Sequence, residues 1–430
     1  MVLNSQGINL SDKEVEFILS HKPTETDRLL LSAGRYPDIN VPLCVNSIIA
    51  RKKLEKKVPE WSANPKLVYP SLLPLEQCSS WLAAKYKADI ISSLLYSRNV
   101  TDSITGADLT GGLGIDSFYL SAITDKFHYY ERESSLCNAA LNNFHIMGVD
   151  KIEVSCMEIN NESFLSLPGN LTFIYIDPAR REKSGTGKKV ISITEYQPDI
   201  TEIKENLLSK CEFALIKLSP MADIKQCMEL LPETLRVDVV AIGGECKELL
   251  FLLMGGKWRG ERAILPLKEI PVNAVDLQRE NCRCFSFTYS QEEKSTVRFA
   301  SEIDGYLLQP GKEILKAGAF KSIATADKLE KIAPATHLYL CKDENISKMF
   351  QGKAFKIESV IPFNKAGIKT VAEKYPGADI SARNFPLDTN ALEKRLSLKK
   401  RAESPMNPPH IFAVTTLTKE RVLIVTKAIS

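Results

Sequence analysis

The stretch Ala107-Asp108-Leu109-Thr110-Gly111-Gly112-Leu113-Gly114-Ile115-Asp116 decides how the chain is read. A short apolar strand, Gly106–Leu109, runs into a glycine-rich turn, and Ser117–Ala122 opens a helix. Glycines in such a turn let the backbone take positive φ and come close to a ligand. Asp108 stands at the strand end, where a carboxylate faces an ammonium group better than a pyrophosphate, which it repels. Glu131 lies 23 residues further on, at the end of the next apolar run, Phe127–Tyr130. An acid there can accept hydrogen bonds from both hydroxyls of a ribose. The dinucleotide pattern G-x-G-x-x-G is met only as Gly112-x-Gly114-x-x-Ser117, without its last glycine. A nucleoside that carries an amino acid, a dinucleotide, and a plain tight turn with a solvated Glu131 all stay open.

Outward from this loop, strand-like runs alternate with helical ones. The expected strands are Gly106–Leu109, Phe127–Tyr130, Ile152–Ser155, Thr172–Ile176, Phe213–Leu218, Val237–Ile242 and Ala263–Leu267. That alternation predicts a mostly parallel sheet covered on both faces, a Rossmann-like doubly wound α/β core over 99–270. Residues 1–98 read as helical: Ser11 with Glu14 forms a capping box, a second helix covers Val45–Leu54, and a third follows Cys78-Ser-Ser80. The four prolines at 59, 65, 70 and 74 predict an extended crossing loop between the last two. Beyond about residue 280 the order becomes α+β, expected as a small domain over 280–322 and another over 323–430.

Composition narrows the classes. With 430 residues, 44% hydrophobic and 25% charged, the chain is a folded protein of several domains. A net charge of +3 does not by itself demand a nucleic-acid partner. Ten scattered cysteines and five histidines show no C-x-x-C pair and no ligand cluster, so no metal and no disulfide framework is expected. No apolar stretch reaches the ~18 residues of a membrane span, and the N-terminus lacks a leader pattern, so a cytoplasmic protein is expected.

The fourth strand ends in Asp177-Pro178-Ala179-Arg180-Arg181. Ligands of open parallel sheets bind beyond the carboxyl ends of the strands, so Asp177 should share a crevice with Asp108 and Glu131. Asp177 could equally cap a helix beside two solvated arginines. At the fifth strand end, Lys217 either touches substrate or is a surface lysine. Gly243-Gly244-Glu245-Cys246-Lys247-Glu248 either lines the substrate side or is a simple turn and cap.

These motifs resemble those of class I S-adenosylmethionine-dependent methyltransferases, and specifically the bacterial family with a C-terminal THUMP-like domain. The matching stretches are Leu75-Glu-Gln-Cys-Ser-Ser80 with Lys85-Tyr-Lys87, Asp108–Gly114, Ile176-Asp-Pro-Ala-Arg-Arg181, Lys217-Leu-Ser-Pro-Met221 and Glu245-Cys-Lys-Glu-Leu249. Towards the C-terminus they are Ile314-Leu-Lys-Ala-Gly318, Thr336-His-Leu-Tyr339 and Arg383-Asn-Phe-Pro386. The resemblance implies S-adenosyl-L-methionine as cofactor, held by Asp108, Thr110, Gly111, Gly112, Gly114, Asp116, Glu131 and Arg132. Glu158 would meet the adenine edge, a role that Asn160, Asn161 or Glu162 could also fill. Ser79 and Ser80 would hold the methionine carboxylate or serve as plain caps. Asp177 and Pro178 resemble the D-P-P-aromatic motif of enzymes that methylate amine nitrogens. There the acid and the proline carbonyl accept the amine N–H groups. Ala179 and Arg180 depart from that motif, and Arg180 stands where an aromatic would stack on the base.

The resemblance also implies that 280–322 is a small ferredoxin-like domain and 323–430 a THUMP-like one, and it implies an RNA substrate, since THUMP domains proper bind RNA. Two basic clusters bear on it: Arg51, Lys52, Lys53, Lys56 and Lys57 against Glu55, and Arg383, Lys394, Arg395, Lys399, Lys400 and Arg401 against Asp388 and Glu393. They would neutralise phosphates or form solvated helix faces. The leading expectation is methylation of a base nitrogen in tRNA or rRNA. Methylation of a protein or small molecule, an RNA-binding module without turnover, and a dinucleotide-dependent redox enzyme are the alternatives.

Overall fold

A computed structural model describes residues 8–99, 102–180, 193–256, 264–398 and 408–429. Arg181, Ala263, Lys399, Lys400 and Arg401, all singled out above, lie outside the described residues. The chain divides into two units, Met1–Val237 with Glu248–Leu267, and Asp238–Lys247 with Lys268–Ser430.

The first unit opens with helices α1 (Asp12–Ser20), α2 (Thr26–Leu31) and α3 (Val41–Leu54). The capping box of α1 is formed: Glu14 N–H donates to Ser11 Oγ, and Ser11 N–H donates back to the Glu14 carboxylate at 2.8 Å. Helix α3 starts earlier than Val45 because Asn40 caps it by accepting from Leu43 N–H. The proline-rich segment is not a plain extended loop. It holds two short helices, α4 (Pro59–Ala63) and α5 (Leu73–Gln77), each with a proline in its first turn, where a missing N–H costs nothing. Between them Leu67, Val68 and Tyr69 are fully buried. Helix α6 (Trp81–Ser97) follows, capped by Ser80.

The strands are β1 (Thr105–Asp108), β2 (Lys126–Glu131), β3 (Ile152–Cys156) and β4 (Leu171–Ile176), with α7 (Ile115–Ser121) and α8 (Ser134–Ile146) between the first three. A two-stranded ribbon, β5 (Ala179–Arg180) with β6 (Tyr196–Gln197), precedes α9 (Ile200–Ser209). Then come β7 (Cys211–Leu218), α10 (Ile224–Leu230), β8 (Thr234–Ile242) and β9 (Glu245–Met254), of which residues 238–247 fall in the second unit. The order is β8-β9-β7-β4-β1-β2-β3. Strands β3, β2, β1, β4 and β7 run parallel, whereas β9 runs antiparallel to β7. The chain builds outward from β1 through β2 and β3, then returns to β4 on the other side. The switch point therefore lies between β1 and β4, where an open α/β sheet leaves its crevice.

Strand β9 went unpredicted. Gly243 and Gly244 have φ of +61° and +75° and turn β8 into it, the pair of positive φ values that suits a tight hairpin. The turn expected there exists, but Glu245 begins a strand rather than a cap. The strand expected at Ala263–Leu267 is absent from its described part, 264–267, and Leu267–Glu269 is a 3-10 turn.

The second unit contains β10 (Val272–Leu277), antiparallel to β11 (Cys282–Phe287), and α11 (Tyr289–Lys294). There follow β12 (Arg298–Phe299), β13 (Tyr306–Pro310), α12 (Lys312–Ala317), α13 (Ser322–Ala326), β14 (Glu330–Ala333), β15 (Thr336–Cys341) and α14 (Glu344–Met349). The last elements are β16 (Gly352–Pro362), α15 (Lys365–Lys374), β17 (Asp379–Arg383), α16 (Thr389–Arg395), β18 (His410–Thr415) and β19 (Arg421–Ala428). They make an eight-stranded sheet, β12-β14-β15-β13-β16-β19-β18-β17. Its two faces carry separate cores. Phe412, Val414 and Ile424 join one, and Ile411, Ala413 and Leu423 join the other with Val371 of α15 and Leu392 of α16, as the period of two requires. The α/β core and the α+β C-terminal half agree with the sequence reading.

Candidate active site

The loop after β1 is shaped by what surrounds it. A Cβ on Gly111 would stand 2.0 Å from the Tyr129 ring, and one on Gly114 2.5 Å from the Phe144 ring, at a φ of +84°. The Gly111 N–H donates to Tyr130 O, and Tyr129 OH donates to Gly112 O. Asp108 is only 1% exposed. Its carboxylate accepts from Thr110 N–H at 2.9 Å and from Ser117 Oγ at 2.6 Å. These two bonds clamp the turn to the first residues of α7. Burial pushes the Asp108 carboxyl up to about 7 against the pull of those two donors.

Glu131 sits where the sequence places it, at the end of β2 beside the loop. One oxygen accepts from Gly112 N–H and the other from Glu133 N–H, both at 2.9 Å. Arg132 and Glu158, both exposed, approach within 3.8 Å, and the Gln197 amide donates to Glu158 at 3.2 Å. Those two residues thus meet near the ends of β2 and β3.

Asp177 follows β4 directly. Its N–H donates to Thr110 Oγ1 at 2.6 Å, which links it to the glycine loop. Its carboxylate forms an ion pair with Lys217 at the end of β7. Pro178 is buried, and the backbone of Arg180 lies in the β5–β6 ribbon. Asp177 caps no helix, so the alternative drawn from sequence does not apply.

Ser79 and Ser80 do different things. Ser80 Oγ caps α6 by accepting from Ala83 N–H. Ser79, nearly buried, donates to Asp116 at 2.8 Å and accepts from Lys87 at 2.9 Å. Lys87 belongs to the matching stretch Lys85-Tyr-Lys87, but the sequence reading assigns it no role. It is fully buried, and its ammonium also reaches Asp116 at 3.1 Å and Glu248 at 3.0 Å. Tyr175 OH donates to Asp116 at 3.0 Å, and its ring lies 5.7 Å from the Lys87 ammonium. Burial raises the Asp116 carboxyl, but Lys87 and Lys217 outweigh it and hold the group below its ordinary value. A signal existed: Ala83, Ala84, Lys87, Ala88 and Ile91 share one buried helical stripe, and a lysine within it needs a buried anion.

The first basic cluster is largely occupied. Arg51 donates to Ser62 O, Lys52 pairs with Glu55, Lys53 with Glu76, and Lys57 donates to Leu75 O and Glu76 O. Arg383 is half-buried and donates to Ala382 O, while Lys394 and Arg395 are exposed in the last turn of α16. Among the described residues, no helix is long and apolar enough to cross a membrane, and no group of His, Cys, Asp and Glu could hold a metal ion.

Comparison with known proteins bears on the whole chain. Residues 352–428 match the THUMP domain-like family and residues 306–347 a ferredoxin-like domain family. No curated protein matches the chain. A crystal structure of a "putative methyltransferase" from Porphyromonas gingivalis W83 superposes with a TM-score of 0.81 at 29% identity. It covers 98% of this chain and 100% of that one. An rRNA methylase from Streptococcus thermophilus has 12% identity over 40% of this chain and 94% of its own, with a TM-score of 0.29. A SAM-dependent methyltransferase from Agrobacterium tumefaciens has 16% identity over 40% and 60%, with a TM-score of 0.29. These last two add nothing to the argument. The chain thus joins a Rossmann-like methyltransferase fold to C-terminal ferredoxin-like and THUMP-like domains.

Proposed function

We propose that this protein is a class I S-adenosylmethionine-dependent methyltransferase that acts in the cytoplasm on a base nitrogen of RNA, either tRNA or rRNA. The observation that carries the reading is the convergence of the glycine loop, Glu131 and Asp177 at the switch point between β1 and β4. The residues present fit the cofactor. The Glu131 carboxylate keeps lone pairs for a ribose, and a Cβ at Gly112 would meet nothing nearer than Thr110 O at 3.9 Å, so the loop has open space before it. Gly111–Gly114, Glu131, Arg132 and Glu158 would hold it, with Asp108 fixing the loop and Asp116 adding negative charge nearby. When bound, S-adenosylmethionine supplies an electrophilic methyl group on a sulfonium centre.

The chain's own task is then positioning. Asp177 and the Pro178 carbonyl accept the N–H bonds of the incoming amine and aim its lone pair. Charge that develops on that nitrogen is stabilised by the same acceptors. The THUMP-like domain, carried in the same chain, supports RNA as the substrate.

The test is transfer of a labelled methyl group into total RNA from cells that lack the protein. Label that nuclease removes and protease leaves supports the proposal. Label that only protease removes would move the substrate to protein, and no label with the cofactor demonstrably bound would leave a binding module.

A further inference from the structure

Lys217 stands at the centre of charges drawn from four elements. The preceding residue of β7, Ile216, pairs with Ile176, which brings Lys217 beside Asp177. On the other side Lys217 is paired with Leu250 of β9, so Glu248 is its diagonal neighbour on the same face of the sheet. Asp116 of α7 and Lys87 of α6 complete the group, with Lys87 bridging Asp116 and Glu248. The Lys217 side chain is 15% exposed and that of Asp177 32%, so the pair lies at the mouth of the buried network. Burial disfavours the Lys217 ammonium, but Asp177, Glu248 and Asp116 outweigh it and hold its pKa above the ordinary lysine value.

We propose that Lys217 is a positioning residue for the reaction: by holding Asp177 Oδ2 it turns the carboxylate so that Oδ1 is presented to a substrate N–H. The inference rests on the methyl-transfer reading above. Thr110 fixes the backbone of Asp177 and Lys217 fixes its side chain, so both ends of the residue are immobilised. A carboxylate paired in this way still accepts N–H bonds.

The experiment is a double-mutant cycle on methyl transfer into RNA with Lys217→Met, Asp177→Asn and the double variant, plus Lys217→Arg. Cofactor affinity is measured by calorimetry and folding by thermal unfolding for each. Lys217→Met is expected to lower kcat by about 10- to 100-fold while cofactor affinity is retained. Lys217→Arg, which keeps the donor, is expected to recover most of that loss. The double variant is expected to be no slower than Asp177→Asn alone, because the lysine acts through the aspartate. Additive losses, or an effect of Lys217→Met confined to KM, would overturn the inference and leave the methyl-transfer reading intact. Absence of transfer by the wild-type protein would overturn both.

Discussion

Strand β4 of the first unit buries all of Leu171–Ile176, whereas β16 of the second alternates and leaves Lys353, Lys356 and Glu358 in solvent. Inside a buried strand a charge needs a hydrogen-bonding partner, as Asp238 of β8 has in Asn273. In the first unit the most deeply buried charges, Lys87, Asp108 and Glu248, are at most 2% exposed and surround the carboxyl ends of β1, β4 and β7. The second unit keeps most of its ion pairs on the surface, as with Lys369 and Glu373 on α15. Burying a charge is costly unless it is paired and hydrogen-bonded. The second unit also buries Asp238, Glu313 and Lys331; the first unit's crevice differs in joining its buried charges into ion pairs.

Four substitutions test the contrast. The largest effect should come from Lys87→Met, which strands Asp116 and Glu248 without their cation. Breaking a buried pair in this way costs about 3–5 kcal/mol, and urea unfolding would read it. Next is Asp108, whose carboxyl is raised from 3.8 to about 7 in the folded protein. A raised group binds more protons folded than unfolded. Its contribution is complete below about pH 4 and is lost as pH rises through about 7. Unfolding free energy compared between wild type and Asp108→Asn should show this decline only in the wild type, on the order of a few kcal/mol. A flat difference across that window would mean that Asp108 titrates normally.

Gly111→Ala comes third, with about 1–3 kcal/mol expected from forcing a methyl into the Tyr129 ring. Reduced cofactor affinity should accompany it, because the loop must shift. The smallest effect belongs to Lys369→Met in the second unit, within about 0.5 kcal/mol, since the pair it breaks is exposed. If it cost as much as Lys87→Met, burial would not be what separates the two regions.

Much of this was legible in the sequence, for physical reasons that differ by element. The glycine loop, Glu131 and Asp177 were found because a parallel sheet puts its ligands at strand ends, and strand ends can be read from short apolar runs. Strand β9 was missed because Leu249–Met254 is one continuous apolar run, which suits a buried helix as well as a buried strand. Strand β10 was hidden by Asn273 and Asp276, and Asn273 is accommodated only because its amide donates to Asp238 at 2.8 Å. The network around Lys87 joins residues up to 161 positions apart, and no local spacing announces such a contact. The Asp108 carboxylate could be placed at the crevice from sequence, but its inward turn depends on Ser117, one turn into the next helix.

The most direct measurement compares wild-type protein with Asp177→Ala in two assays run side by side: binding of S-adenosylmethionine by calorimetry, and transfer of its labelled methyl group into RNA from cells lacking the protein. The account predicts equal binding, with transfer by the wild type and a loss of at least about 100-fold in the variant. Normal transfer by Asp177→Ala, or no binding of the cofactor by the wild type, would contradict it.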